Sequence, residues 1–158
     1  MPDSLEHRIR QALDGRDDVR VATAESCTGG TVAARLTSQA GSSAYFVGSV
    51  VSYANEVKQG VLGVPEDVLK SPGAVSEPCA RAMVEGVRDL MGATHAVSTT
   101  GIAGPDGGTD RKPVGTVYIG IATPEGTCVE HHVFPGDRAA VIAATADRAL
   151  TLLLEAVS

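Results

Sequence analysis

Two patterns of apolar residues alternate along the chain. In some segments apolar residues recur with the period of a helix, and in others short runs rich in β-branched residues indicate strands. Stripes with a period of about 3.6 residues follow Ser4, Ser76 and Asp137, whose side chains are suited to cap a helix. A further helix is predicted over 28–39, and a short one that Gly63 closes. The predicted strands are 20–24, 44–53, 94–99, 115–123 and 127–134, of which 44–53 looks buried and the last two form a hairpin.

The order of these elements predicts the fold class. Strands separated by helices early in the chain favour a parallel sheet, and the late hairpin adds antiparallel strands. We therefore expect an α/β fold, a three-layer α/β/α sandwich with a mixed sheet. Ligands bind such sheets at the carboxyl ends of the strands. The loops 25–30, 53–58 and 100–113 fall at this edge, and we expect them to meet.

Length and composition limit the classes of protein that fit. The chain has 158 residues and 43% apolar content, which fits one domain over 1–158. A net charge of −6 without a basic run argues against nucleic-acid binding. No apolar run reaches the roughly 18 residues of a membrane helix, and no signal peptide is recognisable. Cys27, Cys79 and Cys128 have no paired spacing that predicts a disulfide framework or a zinc site, so a cytoplasmic protein is expected.

The stretch ESCTGG joins a strand to a helix and carries three nucleophilic side chains. A side chain at such a turn faces a cleft, and the free N–H groups at the helix start are suited to hold an oxyanion. Gly29 and Gly30 leave room for a ligand. Two simpler interpretations stay open, because Ser26 or Thr28 is also a common helix cap and Cys27 a common small buried side chain.

A serine nucleophile needs a base, and none of the four histidines falls in the three loops. Lys58 does lie in the second loop region. A lysine that is desolvated can lose its proton near neutral pH and act as a base. Judged from the residues alone, however, a solvated helix lysine is the more common case.

The third loop contains TTGIAGPDGG and follows a strand directly. Its backbone N–H groups are suited to hold a phosphate or a ribose, although it matches neither the Walker A nor the dinucleotide-binding motif. Arg138 at the start of the last helix is easier to understand if it faces an anion, because the positive end of a helix disfavours a cation. Glu25 and Asp106 are isolated acids and give little support for a metal site.

Four stretches, TAESCTGG, GSVVSYANEVK, GAVSEP and TTGIAGPDGGTDRKPVGTVYIGIA, together resemble the C-terminal domain of the CinA family. The resemblance extends from the first helix to the last. It implies a nicotinamide-nucleotide amidase, which converts nicotinamide mononucleotide to nicotinate mononucleotide and ammonia in NAD salvage. It also implies a serine–lysine pair that works without metal or cofactor. Larger family members carry a further N-terminal domain, whose activity is not expected here.

The resemblance also implies roles for particular residues. Ser26 corresponds to the nucleophile, Lys58 to its base, and Tyr53 to a residue that orients the lysine or the substrate. The implied substrate-binding residues are Cys27, Thr28, Gly29, Gly30, Thr100, Gly101, Gly104 and Arg138. Backbone N–H groups of the first four are expected to hold the oxyanion, and the remaining residues the ribose and phosphate. Family habit further suggests a homodimer or a higher homo-oligomer.

Two other functions remain open at this point. One is a hydrolase in which Cys27 is the nucleophile, since a helix N-terminus lowers the pKa of a thiol. The other is a non-catalytic nucleotide-binding or regulatory module, because some members of the family lack measurable turnover. The intact set of Ser26, Tyr53 and Lys58 argues against the second alternative.

Overall fold

A computed structural model describes residues 3–158 as a five-stranded sheet between two layers of helices. The strands are β1 (Val21–Glu25), β2 (Phe46–Val51), β3 (His95–Gly101), β4 (Thr116–Thr123) and β5 (Gly126–Val133). The helices are α1 (Leu5–Ala12), α2 (Thr31–Thr37), α3 (Asn55–Gly60), α4 (Glu66–Lys70), α5 (Glu77–Met91) and α6 (Arg138–Val157), with a 3₁₀ turn over Ser42–Ala44.

The strand order is β2-β1-β3-β4-β5. Strand β1 pairs in parallel with β2 and β3, whereas β4 is antiparallel to β3 and β5. Helices α1, α2 and α6 cover one face of the sheet, and α5 covers the other. The expected three-layer α/β/α sandwich with a mixed sheet, parallel early strands and a late hairpin is therefore confirmed.

The two long helices begin at the residues that the sequence predicts as caps. The Ser76 side chain accepts a hydrogen bond from the Cys79 N–H at 3.3 Å, and Gly92 ends α5 in the left-handed region. Asp137 caps α6 by accepting from the Ala140 N–H at 2.9 Å. The helical spacing after Asp137 predicts an inward stripe of Ile142, Ala146, Ala149 and Leu153. The last three are buried, whereas Ile142 is only half-buried and Val141 is buried in its place.

Two predicted elements are wrong in detail. The helix expected over 28–39 begins only at Thr31, because Gly29 and Gly30 take positive φ values of +58° and +104° that a right-handed helix excludes. The strand expected to be buried is β2, which lies at an edge of the sheet and leaves Val51 48% exposed. An apolar run predicts a strand but does not reveal how many neighbours the strand has.

The sheet brings several chain segments to one edge. Strands β1, β2 and β3 are parallel, so their carboxyl ends lie together. Strand β5 runs in the same direction, and α6 therefore begins at this edge as well. Among the helices of residues 3–158, none is long and apolar enough to cross a membrane.

Candidate active site

Ser26 and Lys58 meet at the carboxyl edge of the sheet, 32 residues apart in sequence. Ser26 follows β1 directly. Lys58 lies on the short helix α3, which follows β2. The Nζ atom of Lys58 lies 3.0 Å from Oγ of Ser26. This is hydrogen-bond distance, so a proton can pass directly between the two groups without a bridging water.

Lys58 is buried to an extent that is rare for a lysine, with 1% of its surface exposed. Its Nζ donates to the backbone carbonyl of Ser52 at 2.8 Å and to that of Tyr53 at 3.0 Å. No carboxylate within residues 3–158 forms an ion pair with it. Burial without a compensating anion disfavours the ammonium form, and this desolvation lowers the pKa of Lys58 from its usual value.

Nζ of Lys58 has three polar contacts, with Oγ of Ser26 and with two backbone carbonyls. A neutral amine has two N–H donors, and the carbonyls of Ser52 and Tyr53 match that number. The remaining direction holds Oγ of Ser26. In the neutral form of Lys58, which its desolvation favours, the lone pair points at Oγ and can receive the Ser26 hydroxyl proton. In the ammonium form, the third N–H donates to the same Oγ.

Backbone hydrogen bonds between strand ends hold the serine and the lysine in register. The Ser52 N–H donates to the Glu25 carbonyl at 2.8 Å, which ties the end of β2 to the end of β1. The Ser26 N–H donates to the Thr99 carbonyl at 2.9 Å, which ties the same turn to β3. These backbone bonds thus fix Ser26 relative to the segment at Ser52 whose carbonyl holds Lys58.

The buried carboxylate of Glu25 caps helix α2. It accepts the N–H groups of Val32 and Ala33, each at 2.9 Å, and the hydroxyls of Thr23 at 3.1 Å and Thr28 at 2.7 Å. Neither Ser26 nor Thr28 caps the helix through its side chain, so that simpler interpretation is wrong. The N–H groups at the start of α2 were expected to face the cleft. Those of Val32 and Ala33 are instead occupied, because they donate to Glu25.

Of the four turn N–H groups that the resemblance implies for the oxyanion, that of Gly29 is occupied, because it donates to the Ser26 carbonyl at 3.1 Å. Those of Cys27 and Thr28 follow the serine directly and are free in the part of the chain that the structure describes. Within residues 3–158 the backbone N–H groups of Cys27 and Thr28 donate to no protein acceptor. Both belong to the turn that follows Ser26 and precedes the capped helix. They replace the α2 N–H groups as the candidate donors for a negatively charged oxygen formed at Ser26.

A cavity of about 300 Å³ opens beside the serine–lysine pair. All three expected loops contribute to it, so the structure brings them together. Eight of the residues implied by the family resemblance line it, namely Ser26, Cys27, Tyr53, Lys58, Thr100, Gly101, Gly104 and Arg138. Thr28, Gly29 and Gly30 do not, because the Thr28 hydroxyl is directed to Glu25 and Thr99, and the two glycines form the turn that leads into α2.

Sequence reasoning missed other parts of the wall. Asn55 begins α3, and Ala74 and Val75 precede the cap of α5. The Thr100 hydroxyl donates to the Ala74 carbonyl at 2.8 Å, which joins the third loop to this segment. Ala74 and Val75 carry neither a nucleophile nor a charge, so their residue types give no signal of a site, although the motif GAVSEP contains both.

Arg138 and Tyr53 lie across the mouth of the cavity. The Arg138 guanidinium donates to the Gly104 carbonyl at 2.8 Å and to the Tyr53 hydroxyl at 3.1 Å. Tyr53 is 62% exposed, while its backbone carbonyl holds Lys58. A single residue thus contacts the arginine with its side chain and the buried lysine with its backbone.

Cys27 belongs to the hydrophobic core as well as to the cavity wall. Its burial raises the pKa of the thiol to about 12. A thiol with this pKa holds almost no thiolate near pH 7, and the thiolate is the nucleophilic form. The burial of the Cys27 thiol thus favours Ser26 over its neighbour as the nucleophile.

The architecture is that of an α/β sandwich with a ligand cavity at the carboxyl ends of its parallel strands. The model of the CinA C-terminal domain family matches residues 2–157, and the chain belongs to that family. A CinA superfamily protein from Klebsiella pneumoniae has a crystal structure that is similar with a TM-score of 0.91 and 38% identity, over 97% of this chain and 95% of that one. A CinA superfamily protein from Escherichia coli gives a TM-score of 0.90 and 31% identity, over 97% and 90% of the two chains.

Longer relatives share the same domain. A CinA-like protein from Geobacter sulfurreducens is 53% identical over 133 residues, which are 84% of this chain and 32% of that protein. A CinA-like protein from Anaeromyxobacter dehalogenans is 54% identical over 151 residues, 96% of this chain and 37% of that protein. The chain therefore spans about a third of the length of these curated relatives.

Proposed function

We propose that this protein is an amidase that hydrolyses nicotinamide mononucleotide to nicotinate mononucleotide and ammonia. The observation that carries the proposal is the 3.0 Å distance between Nζ of Lys58 and Oγ of Ser26, with both other directions of Nζ filled by backbone carbonyls. This arrangement is suited to nucleophilic catalysis by a serine whose base is a neutral lysine. The CinA resemblance supplies the substrate.

The first half of the reaction forms an acyl-enzyme. Lys58 takes the hydroxyl proton as Oγ of Ser26 bonds to the carboxamide carbon. The carbonyl oxygen becomes an oxyanion, which the N–H groups of Cys27 and Thr28 stabilise, and each such donor contributes about 3–4 kcal/mol. The carbon–nitrogen bond then breaks, and the leaving nitrogen receives the proton from Lys58 and departs as ammonia.

The second half restores the enzyme. Water gives a proton to Lys58 and attacks the ester carbon, and the bond to Ser26 breaks as Lys58 returns the proton to Oγ. The protonated lysine between these steps has three N–H donors. The carbonyls of Ser52 and Tyr53 accept two, and Ser26 or the leaving group accepts the third.

The remaining cavity residues are assigned to binding. Arg138 is a cation in a protein whose net charge is −6, so it is a local attraction for a phosphate that the overall charge repels. The loop from Thr100 to Gly104 lies beside it and supplies backbone groups for the ribose. Tyr53 orients the substrate with its ring and the lysine with its carbonyl.

The test is ammonia release from nicotinamide mononucleotide, with nicotinate mononucleotide identified by chromatography. Ser26→Ala and Lys58→Met should each abolish release while circular dichroism shows a folded protein. Ser38→Ala and Lys70→Met change an exposed serine and an exposed lysine, and they should retain activity. A wild-type protein that binds the nucleotide without releasing ammonia would instead be a regulatory module, and activity that needs Cys27 but not Ser26 would identify a cysteine hydrolase.

A further inference from the structure

A second cavity adjoins the candidate active site. Its volume is about 470 Å³, and Ala103 and Arg138 line both cavities. Its other walls are Pro105, Val114, Gly136, Asp137 and Ala139. The two shared lining residues make the cavities direct neighbours. Both volumes fall in the range of about 300–1,000 Å³ that is usual for small-molecule sites.

The walls of the second cavity combine apolar surface with one cation and one carboxylate. Ala103, Val114 and Ala139 present only hydrocarbon side chains. One oxygen of Asp137 caps α6, which leaves the other available as an acceptor. An apolar slot with a single carboxylate acceptor is suited to the flat base and the ribose hydroxyls of a nucleoside.

Arg138 stands where the two cavities meet, and its donors are only partly used. A guanidinium has five N–H donors. Within residues 3–158 its hydrogen bonds are those to the Gly104 carbonyl and the Tyr53 hydroxyl. Free donors remain for an anion, and a phosphate on Arg138 has one cavity on each side of it.

We propose that the second cavity binds the second nucleoside of a pyridine dinucleotide whose nicotinamide half occupies the first cavity. The inference rests on the proposed function, because that function sets the nicotinamide half beside Ser26 and its phosphate on Arg138. Whatever is linked to this phosphate then enters the space between Val114 and Ala139. The dinucleotide is thus a ligand that competes with the mononucleotide for the same serine–lysine site.

The test compares the binding of two probes, nicotinamide mononucleotide and oxidised nicotinamide adenine dinucleotide. Titration calorimetry on Ser26→Ala protein measures both without turnover. Ala139→Phe fills the second cavity, and Ala143→Phe is the matched control, since it adds the same side chain one turn further along α6 at an exposed position. Ala139→Phe should raise the Kd of the dinucleotide at least about ten-fold more than that of the mononucleotide, whereas Ala143→Phe should leave the ratio unchanged.

The outcomes separate this inference from the proposed function. Mononucleotide binding and hydrolysis without any dinucleotide binding would overturn the inference and leave the amidase intact. The inference would also be overturned if Ala139→Phe raised the Kd of both probes by the same factor. The same holds if Ala143→Phe changed the ratio of the two Kd values as much as Ala139→Phe does. Dinucleotide binding that depends on Ala139 in a protein without amidase activity would support the second cavity and refute the proposed function.

Discussion

Lys58 reaches Ser26 from a six-residue helix, and the two side chains lie 3.0 Å apart although α2, a 3₁₀ turn and β2 separate them in sequence. The contact depends on the sheet, because the backbone groups that hold each partner belong to the ends of neighbouring parallel strands. The pair is buried, and the lysine has no acidic partner among residues 3–158. These conditions favour a neutral amine, and they lead to the first two predictions.

The first prediction concerns the pH dependence of activity. The reaction requires neutral Lys58, so kcat/KM for nicotinamide mononucleotide should rise with pH and level off above the pKa of this lysine in the free enzyme. Desolvation lowers the pKa of Lys58, so the plateau should begin below the usual lysine pKa of about 10.4. Initial rates from pH 5.5 to 10 measure the profile. Lys58→Met should lose activity by roughly 10²–10⁴-fold or more at every pH, and a residual profile of the same shape would contradict the assignment.

The second prediction concerns stability. Burial makes the pKa of Lys58 lower in the folded than in the unfolded chain, so between these two values the unfolded chain binds more protons. The free energy of unfolding of the wild type, relative to Lys58→Met, should therefore rise with pH through this window and become constant above about 10.4. Urea unfolding at several pH values measures the difference. Lys70→Met, at an exposed position, serves as the control. If the free energy of unfolding of the wild type relative to Lys58→Met fell with rising pH, the folded protein would instead stabilise the ammonium form of Lys58.

The third prediction separates the two neighbouring nucleophiles. Burial raises the pKa of the Cys27 thiol to about 12, so this thiol should react slowly with iodoacetamide at pH 7.5, while the exposed Cys128 reacts fast. Cys27→Ala removes a small buried side chain and should cost about 1 kcal/mol of stability, with activity largely retained. Peptide mass mapping after alkylation gives the site of reaction. Loss of activity comparable to that of Ser26→Ala would make Cys27 the nucleophile.

The fourth prediction concerns the carboxylate that caps α2. Each oxygen of Glu25 accepts one backbone N–H, so the amide nitrogen of Glu25→Gln must face a donor that cannot reverse its direction. We expect a loss of about 1–3 kcal/mol in the free energy of unfolding. Glu66→Gln at an exposed position should change stability by no more than about 0.5 kcal/mol. Unfolding in urea measures both, and equal effects would show that the cap is not specific for a carboxylate.

The fifth prediction reverses an expectation from helix propensity. Alanine is favoured over glycine in a helix by about 1 kcal/mol, so Gly86→Ala in α5 should stabilise the protein on that basis alone. The structure predicts the opposite, because a Cβ on Gly86 overlaps the carbonyl oxygen of Leu62. Gly60→Ala is the matched control, since its Cβ meets open space and its helix should gain. Thermal unfolding of both variants decides between the two expectations.

The sequence predicted those parts of the structure that local chemistry determines. The caps of α5 by Ser76 and of α6 by Asp137 follow from residue type and position, and both occur. The hairpin of β4 and β5 is likewise read from alternation and a short turn. The edge position of β2 and the occupation of the α2 N-terminus by Glu25 depend on contacts between distant segments. No local pattern reveals them.

Lys58 shows the same limit for the candidate site. A lysine on a short polar helix is normally solvated, and only the path of the chain after β2 buries this one. The family resemblance identified it because the resemblance carries information about three-dimensional structure that spacing alone does not. The apolar residues Ala74 and Val75 were missed for the opposite reason, since they have no chemistry of their own and matter only as a wall.

The two acceptors that orient Lys58 are main-chain carbonyls, and this affects how the site tolerates mutation. No substitution at position 52 or 53 can delete a carbonyl oxygen, so the orientation of the base is insulated from changes in those side chains. The exposed ring of Tyr53 is thereby free to diverge with the ligand while the same residue keeps its hold on the lysine. Under the proposed function, substitutions at this rim can therefore change the substrate preference while Lys58 and Ser26 keep their contact, so the site tolerates mutation where it meets solvent.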